Sequence, residues 1–200
     1  MKKINTKGFT LIELLAVITI MGILMLVAIP AVSRTIENSR RDTFMNTAKS
    51  YASAIQNSVA SDEIKCYDGG TTLTLASALT AGDGQANAVK YAYYFDSSQN
   101  SGTDLMESGG KSSWGNAEVS GYVVFGKYTV SVGSEGLKTT HYDYYVSMAD
   151  GNHGIANPVK LEDLARSHVH VAGVSKVTAP AESAKTATIG TENIPLCIIA

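Results

Sequence analysis

The chain reads as an α+β protein: a long N-terminal helix, hydrophobic then amphipathic, whose apolar stripe is left for a C-terminal β-rich head to cover, a lollipop outline. Three observations predict this. The segment from Leu14 to Ile29 holds 16 consecutive residues without a charge. Apolar and small residues then recur at steps of three and four as far as Val59. Beyond Cys66 the period falls to two, in short runs rich in tyrosine, valine and threonine and separated by glycine-rich turns.

The apolar segment comes first. With Phe9 to Glu13 it makes a 21-residue stretch, close to the ~20 residues that span a bilayer as a helix. Lys2, Lys3 and Lys7 lie ahead of it. The positive-inside rule keeps that end cytoplasmic and sends the residues after Pro30 across the membrane. Glu13 is the exception inside the stretch. An ionisable group in a membrane helix costs roughly 2–3 kcal/mol on insertion scales and is by default a functional residue with a partner.

The helix is predicted to continue well past the membrane. Ile29, Val32 and Ile36, then Phe44, Ala48, Tyr51, Ile55 and Val59, form one apolar face. Arg34, Glu37, Arg40, Arg41, Lys49 and Gln56 take the other, with Glu37 and Arg41 at i, i+4 spacing. Gly22 weakens the helix, and Pro30 removes a backbone donor, so a bend or loosening is expected there. From Phe9 to about Asp62 such a helix is roughly 80 Å long at 1.5 Å per residue. The chain thus divides into residues 1–8, a leader; 9–30, the membrane helix; 31–62, its amphipathic continuation; and 63–200, a β-rich head.

In the head, Thr71 to Leu75 alternates and Tyr91 to Phe95 is an aromatic run. Tyr122 to Val132 places Tyr122, Val124, Tyr128, Val130 and Val132 on one side, with Gly126 as a bulge candidate. Gly133 to Gly136 reads as a turn into His141 to Met148, whose Tyr142, Tyr144, Val146 and Met148 share a face. Asp150 to Gly154 is a second turn cluster and His168 to Val177 a further strand candidate. Ser97 to Ser113 and Ala179 to Asn193 read as exposed loops.

Removing the three leader lysines leaves 13 cations against 18 acids. That balance gives the head no electrostatic basis for nucleic-acid binding. No nucleophile–base pair, phosphate loop or catalytic carboxylate pair stands out, so no enzyme and no cofactor are predicted. Cys66 and Cys197 are an even pair, which in an extracytoplasmic protein points to a disulfide; two buried thiols are the alternative. His168 and His170 share the predicted strand face as a faint zinc signal, outweighed by the lack of a four-ligand spacing. Asp150 and Asn152 begin a D-x-N-x-G fragment that is a plain turn more often than a calcium loop.

The run Lys7-Gly8-Phe9-Thr10-Leu11-Ile12-Glu13 resembles the leader junction of the type IV pilin family, which includes the pseudopilins of secretion and DNA-uptake machines. The resemblance covers about the first 50 residues and implies a C-terminal antiparallel β-sheet head packed on the C-terminal half of the long helix. It implies that a prepilin peptidase cuts between Gly8 and Phe9 and methylates the new amine of Phe9. It implies that Glu13 pairs with the Phe9 amine of a neighbouring subunit, and that the stretch from Gly22 to Pro30 can lose helicity in a filament. The implied partners are the peptidase, copies of the chain and other pilins, and a pilus or secretion assembly platform. The implied location is the cytoplasmic membrane before assembly and a surface filament after it. Many pilins carry both cysteines late in the chain, and the spacing of Cys66 and Cys197 departs from that pattern. Three functions follow from these residues: a pilus-like filament subunit, a pseudopilin of a type II secretion or competence system, or a membrane-anchored binding protein that never polymerises.

Overall fold

A computed structural model describes residues 8–68, 71–74, 82–98, 110–132 and 136–199. The chain divides into two compact units, Met1–Ser39 and Arg40–Ala200. One helix, α1 (Leu11–Ala60), contributes to both.

Within the first unit α1 runs without interruption through Gly22 and Pro30. Proline has no N–H for the Leu26 carbonyl, the one ladder bond its chemistry forbids. The hydroxyls in this half turn back on the helix. Thr19 Oγ1 donates to the carbonyls of Leu15 (3.1 Å) and Ala16 (2.8 Å), Ser33 Oγ to that of Ile29 (2.9 Å), and Thr35 Oγ1 to that of Ala31 (3.0 Å). Side-chain polar groups satisfied inside their own helix are what an apolar environment demands. The large apolar residues from Phe9 to Ile36 are all exposed, none less than 49%.

The second unit takes the part of α1 from Arg40 to Ala60 as one layer of its core. Phe44, Ala48, Tyr51, Ala52, Ile55, Ser58 and Val59 are its buried side, the three–four spacing of the predicted apolar face. The helix stops because Asp62 enters the left-handed region (φ 57°). The Glu63 N–H then donates to the Ser58 carbonyl (3.1 Å) and the Asp62 N–H to that of Val59 (3.3 Å). This is a Schellman closure that satisfies the last carbonyls.

Among the described residues nine strands follow: β1 (Ile64–Asp68), β2 (Thr71–Thr74), β3 (Gly82–Asp83), β4 (Val89–Asp96), β5 (Ser120–Val132), β6 (Leu137–Ala149), β7 (Gly154–Lys160), β8 (Thr186–Ile189) and β9 (Glu192–Ile199). The main path is β2-β1-β9-β4-β5-β6-β7, with β3 beside β5 and β8 beside β9. The sheet is mainly antiparallel, as expected for the head, with two parallel pairs, β4–β9 and β3–β5. The C-terminal strand enters between β1 and β4 rather than adding at an edge, which sets its direction relative to β4.

One cross-strand row runs Cys66, Cys197, Tyr93, Val123, Val146, Val159. These residues belong to, or pack against, the cluster that includes Phe44, Tyr51 and Ile55 of α1. The neighbouring row, through Leu196, Ala92 and Val124, belongs to a second cluster on the other face, with Tyr122, Ala187 and Ile194. Val177, Ala184 and Ile189 pack against that second cluster. The sheet is therefore buried on both faces, which explains why β5 is apolar at consecutive positions.

Several expectations need correction. Tyr122 and Val124 do share a face with Tyr128, Val130 and Val132, but only the first two are in a core; Val130 and Val132 are exposed. The face toward α1 is built instead by Val123 and Phe125, both fully buried. Gly126 is not a bulge, because the ladder passes through Lys90, Gly126 and Asp143 in register. The register shift lies between Val146 and Met148, opposite β7. A glycine the fold requires in this strand is Gly121, where a Cβ would strike the Ser147 carbonyl and the Phe95 ring.

His168 to Val177 is not a strand. Arg166–His168 is a 3-10 turn, His170 makes one isolated bridge to Gly154, and Gly173 turns left-handed (φ 79°). Asn152 fixes that path: its carbonyl accepts from the Val174 N–H (2.9 Å) and its side-chain oxygen from the Gly173 N–H (3.3 Å). Ala179 to Asn193 is not simply a loop, since it contains β8 and the start of β9. The predicted turn at Gly133, Ser134 and Glu135, the end of the Thr71 to Leu75 run, and most of Ser97 to Ser113 lie outside the described residues. The hairpin that the turn was to join is present, paired from Ser120 and Ala149 to Val132 and Leu137.

Candidate functional site

The start of α1 is built by a side-chain exchange. Thr10 precedes the first helical residue, and its N–H and its hydroxyl both donate to Glu13 Oε2 at 2.8 Å. In return the Glu13 N–H donates to Thr10 Oγ1 at 3.4 Å. The Leu14 N–H reaches the Thr10 carbonyl at 3.2 Å. This is a capping box: residue N3 and the cap satisfy each other's orphan donors. A carboxylate in the first turn also lies at the favourable end of the helix dipole. Thr10 was missed as a site residue in reading the sequence, although Thr-x-x-Glu ahead of an apolar run is the signature of such a start.

Gly8 and Phe9 precede the helix, and Phe9 is 90% exposed. Lys2, Lys3 and Lys7 lie outside the described residues. Gly22 has open space where a Cβ would project. Pro30 is inside the helix. The geometry thus presents an exposed apolar helix whose only acid up to Ile36 is held by its own cap.

In the second unit the structure joins Cys66 to Cys197 by a disulfide between directly opposed residues of β1 and β9, with Cα atoms 4.0 Å apart. Both cysteines are buried. Cys197 is also the register partner of Tyr93, so the bond sits where β1, β9 and β4 meet.

The residues weighed as metal ligands have other uses. Asp150 Oδ1 accepts from the N–H groups of Asn152 (2.9 Å) and His153 (2.7 Å), and Oδ2 accepts from the Ser112 hydroxyl (2.6 Å). His153 Nδ1 lies 3.0 Å from Oδ2. Burial works against the Asp150 carboxylate, but these donors outweigh it and hold its pKa below the usual range. His168 Nδ1 accepts from the Ala165 N–H (3.1 Å), within the 3-10 turn, so His168 and His170 share no strand face. Among the described residues no group of three or more His, Cys, Asp or Glu is placed to hold a metal ion.

Side-chain contacts fix the second unit's part of α1 to its loops, among them Tyr51, whose hydroxyl donates to the Gly110 carbonyl (2.8 Å). The Ser113 hydroxyl donates to the Arg40 carbonyl (2.7 Å), and the Arg166 guanidinium grips Asp42 with Nε at 2.7 Å from Oδ1 and Nη2 at 2.5 Å from Oδ2. Arg166 accordingly holds the Asp42 carboxyl below its ordinary pKa. Trp114, the chain's single tryptophan, packs on Phe44 and lies flat on His153 with centroids 4.4 Å apart.

A family model described as the prokaryotic N-terminal methylation motif matches residues 3–29. That motif is the class III signal of type IV pilins, and it spans Gly8, Phe9, Thr10 and Glu13. The motif indicates a type IV pilin-like or pseudopilin precursor, and the proteins that this motif characterises are structural rather than catalytic. No curated protein and no solved structure matches the chain. α1 is long and apolar enough to cross a membrane, and together with the motif it fits a membrane-anchored precursor.

Proposed function

We propose that this chain is a structural subunit of a type IV pilus-like filament, anchored in the cytoplasmic membrane by α1 and then polymerised through it. The observation that carries the reading is the methylation motif over residues 3–29, with Glu13 inside an apolar helix whose side chains are exposed. A prepilin peptidase removes residues 1–8 and methylates the amine of Phe9. Glu13 then pairs with the Phe9 amine of a neighbouring copy. In low dielectric such a pair is strong and an unpaired member is costly, so extraction from the membrane is favoured only in the matching axial register. Until a partner arrives, the Thr10 cap gives the carboxylate donors of its own. Gly22 and Pro30 are the proposed points at which the helix lengthens when a filament forms or is pulled.

The test is intact-mass and N-terminal sequencing of material sheared from cells. The expected mature chain begins at Phe9 with one added methyl group. A start after Ala28 or Ala31 means that the apolar segment is a discarded secretory signal, and ends this reading. Short periplasmic assemblies in place of surface fibres would assign the chain to a pseudopilin role with the same assembly chemistry.

A further inference from the structure

We draw no further inference here: the strongest candidate, the exposed apolar tip of the β5–β6 hairpin at Val130, Val132 and Leu137, is a sheet face with nothing in the structure to show what covers it.

Discussion

The two parts of α1 obey the same backbone rules and opposite burial rules. Between Leu11 and Ile29 apolar side chains point in every direction and all are exposed. Between Arg40 and Ala60 the buried residues are confined to one stripe, from Phe44 to Val59. Helix propensity is shared, so what differs is the solvent each part was selected for. The first is hydrophobic all round, the pattern of a helix that lies in lipid or is packed on every side; the second has one apolar stripe because one sheet covers it. A substitution in one part should therefore be read out in assembly, and in the other in stability.

The largest expected effect is at Glu13. Glu13→Leu removes the capping carboxylate and, on the proposed function, the partner of the neighbour's amine. On that reading the neighbour's amine is left unpaired in low dielectric, so filament yield should fall steeply, by roughly a hundredfold or more. Membrane-bound subunit should persist, because a charge has left the span. Thr10→Val separates the two roles: it removes the hydroxyl from Oε2 but leaves the carboxylate. Its filament yield should stay well above that of Glu13→Leu. Counting sheared filaments beside a blot of membrane subunit decides it; wild-type yield in Glu13→Leu would restore the simple-anchor reading.

Next is the disulfide. It closes 131 residues of sequence separation, and a loop of that size contributes roughly 4–5 kcal/mol in the chain-entropy account. It also ties the β1–β2 hairpin to β9, the one strand on the path between that hairpin and β4. The pair Cys66→Ala and Cys197→Ala should lower the urea midpoint of the head strongly. Limited proteolysis should then release C-terminal fragments. An unchanged midpoint would show that the β9 ladder alone holds the strand.

Phe44→Ala against Ile23→Ala tests the comparison directly. Phe44 is fully buried against Trp114, and emptying such a site costs ~3–5 kcal/mol. Ile23 is 70% exposed, so its truncation should leave head unfolding in detergent unchanged. Equal midpoints for the two variants would mean that α1 near Phe44 is not part of the core.

The legibility of the fold followed how local its signals were. The membrane stretch, the helical stripe from Phe44 to Val59 and the β5–β6 hairpin depend on neighbours in sequence, and all three could be read. Strand β9 could not: Pro195 interrupts the run, and a proline demotes a strand. In the fold Pro195 pairs only with Thr186 of β8, and the β4 ladder begins at the next residue, Leu196. Strand β7 was hidden for the same reason by Pro158, on the strand that ends the sheet path. The burial of both sheet faces was also invisible, because period-two counting assumes that one face is wet. At the N-terminus, Gly8, Phe9 and Glu13 stood out by chemistry. Thr10 did not, although its spacing to Glu13 carried the signal of a capping box.

The smallest effects concern acid pH and two of the carboxylates held below their usual range, Asp42 and Asp150. A group whose folded pKa is depressed contributes stability that is fully present above its unfolded value, near 3.9 for aspartate, and is lost as pH falls through the folded value. The urea midpoint of the head should thus be flat from pH 7 to about pH 5 on account of these two groups, then decline. Asp150 should dominate, because its side chain is 3% exposed against 38% for Asp42, and water weakens the Asp42–Arg166 pair. Asp150→Asn keeps an acceptor for some of the turn's donors but removes the charge, so its midpoint should be lower at pH 7 and depend less on pH below 5. Asp42→Asn should nearly overlay the wild type at high salt. Trp114 fluorescence follows the transition, since the indole stacks on His153, whose ring Asp150 holds. A pH profile of Asp150→Asn identical to the wild type would assign the acid loss to other carboxylates, and the β6–β7 turn would then be held by its backbone alone.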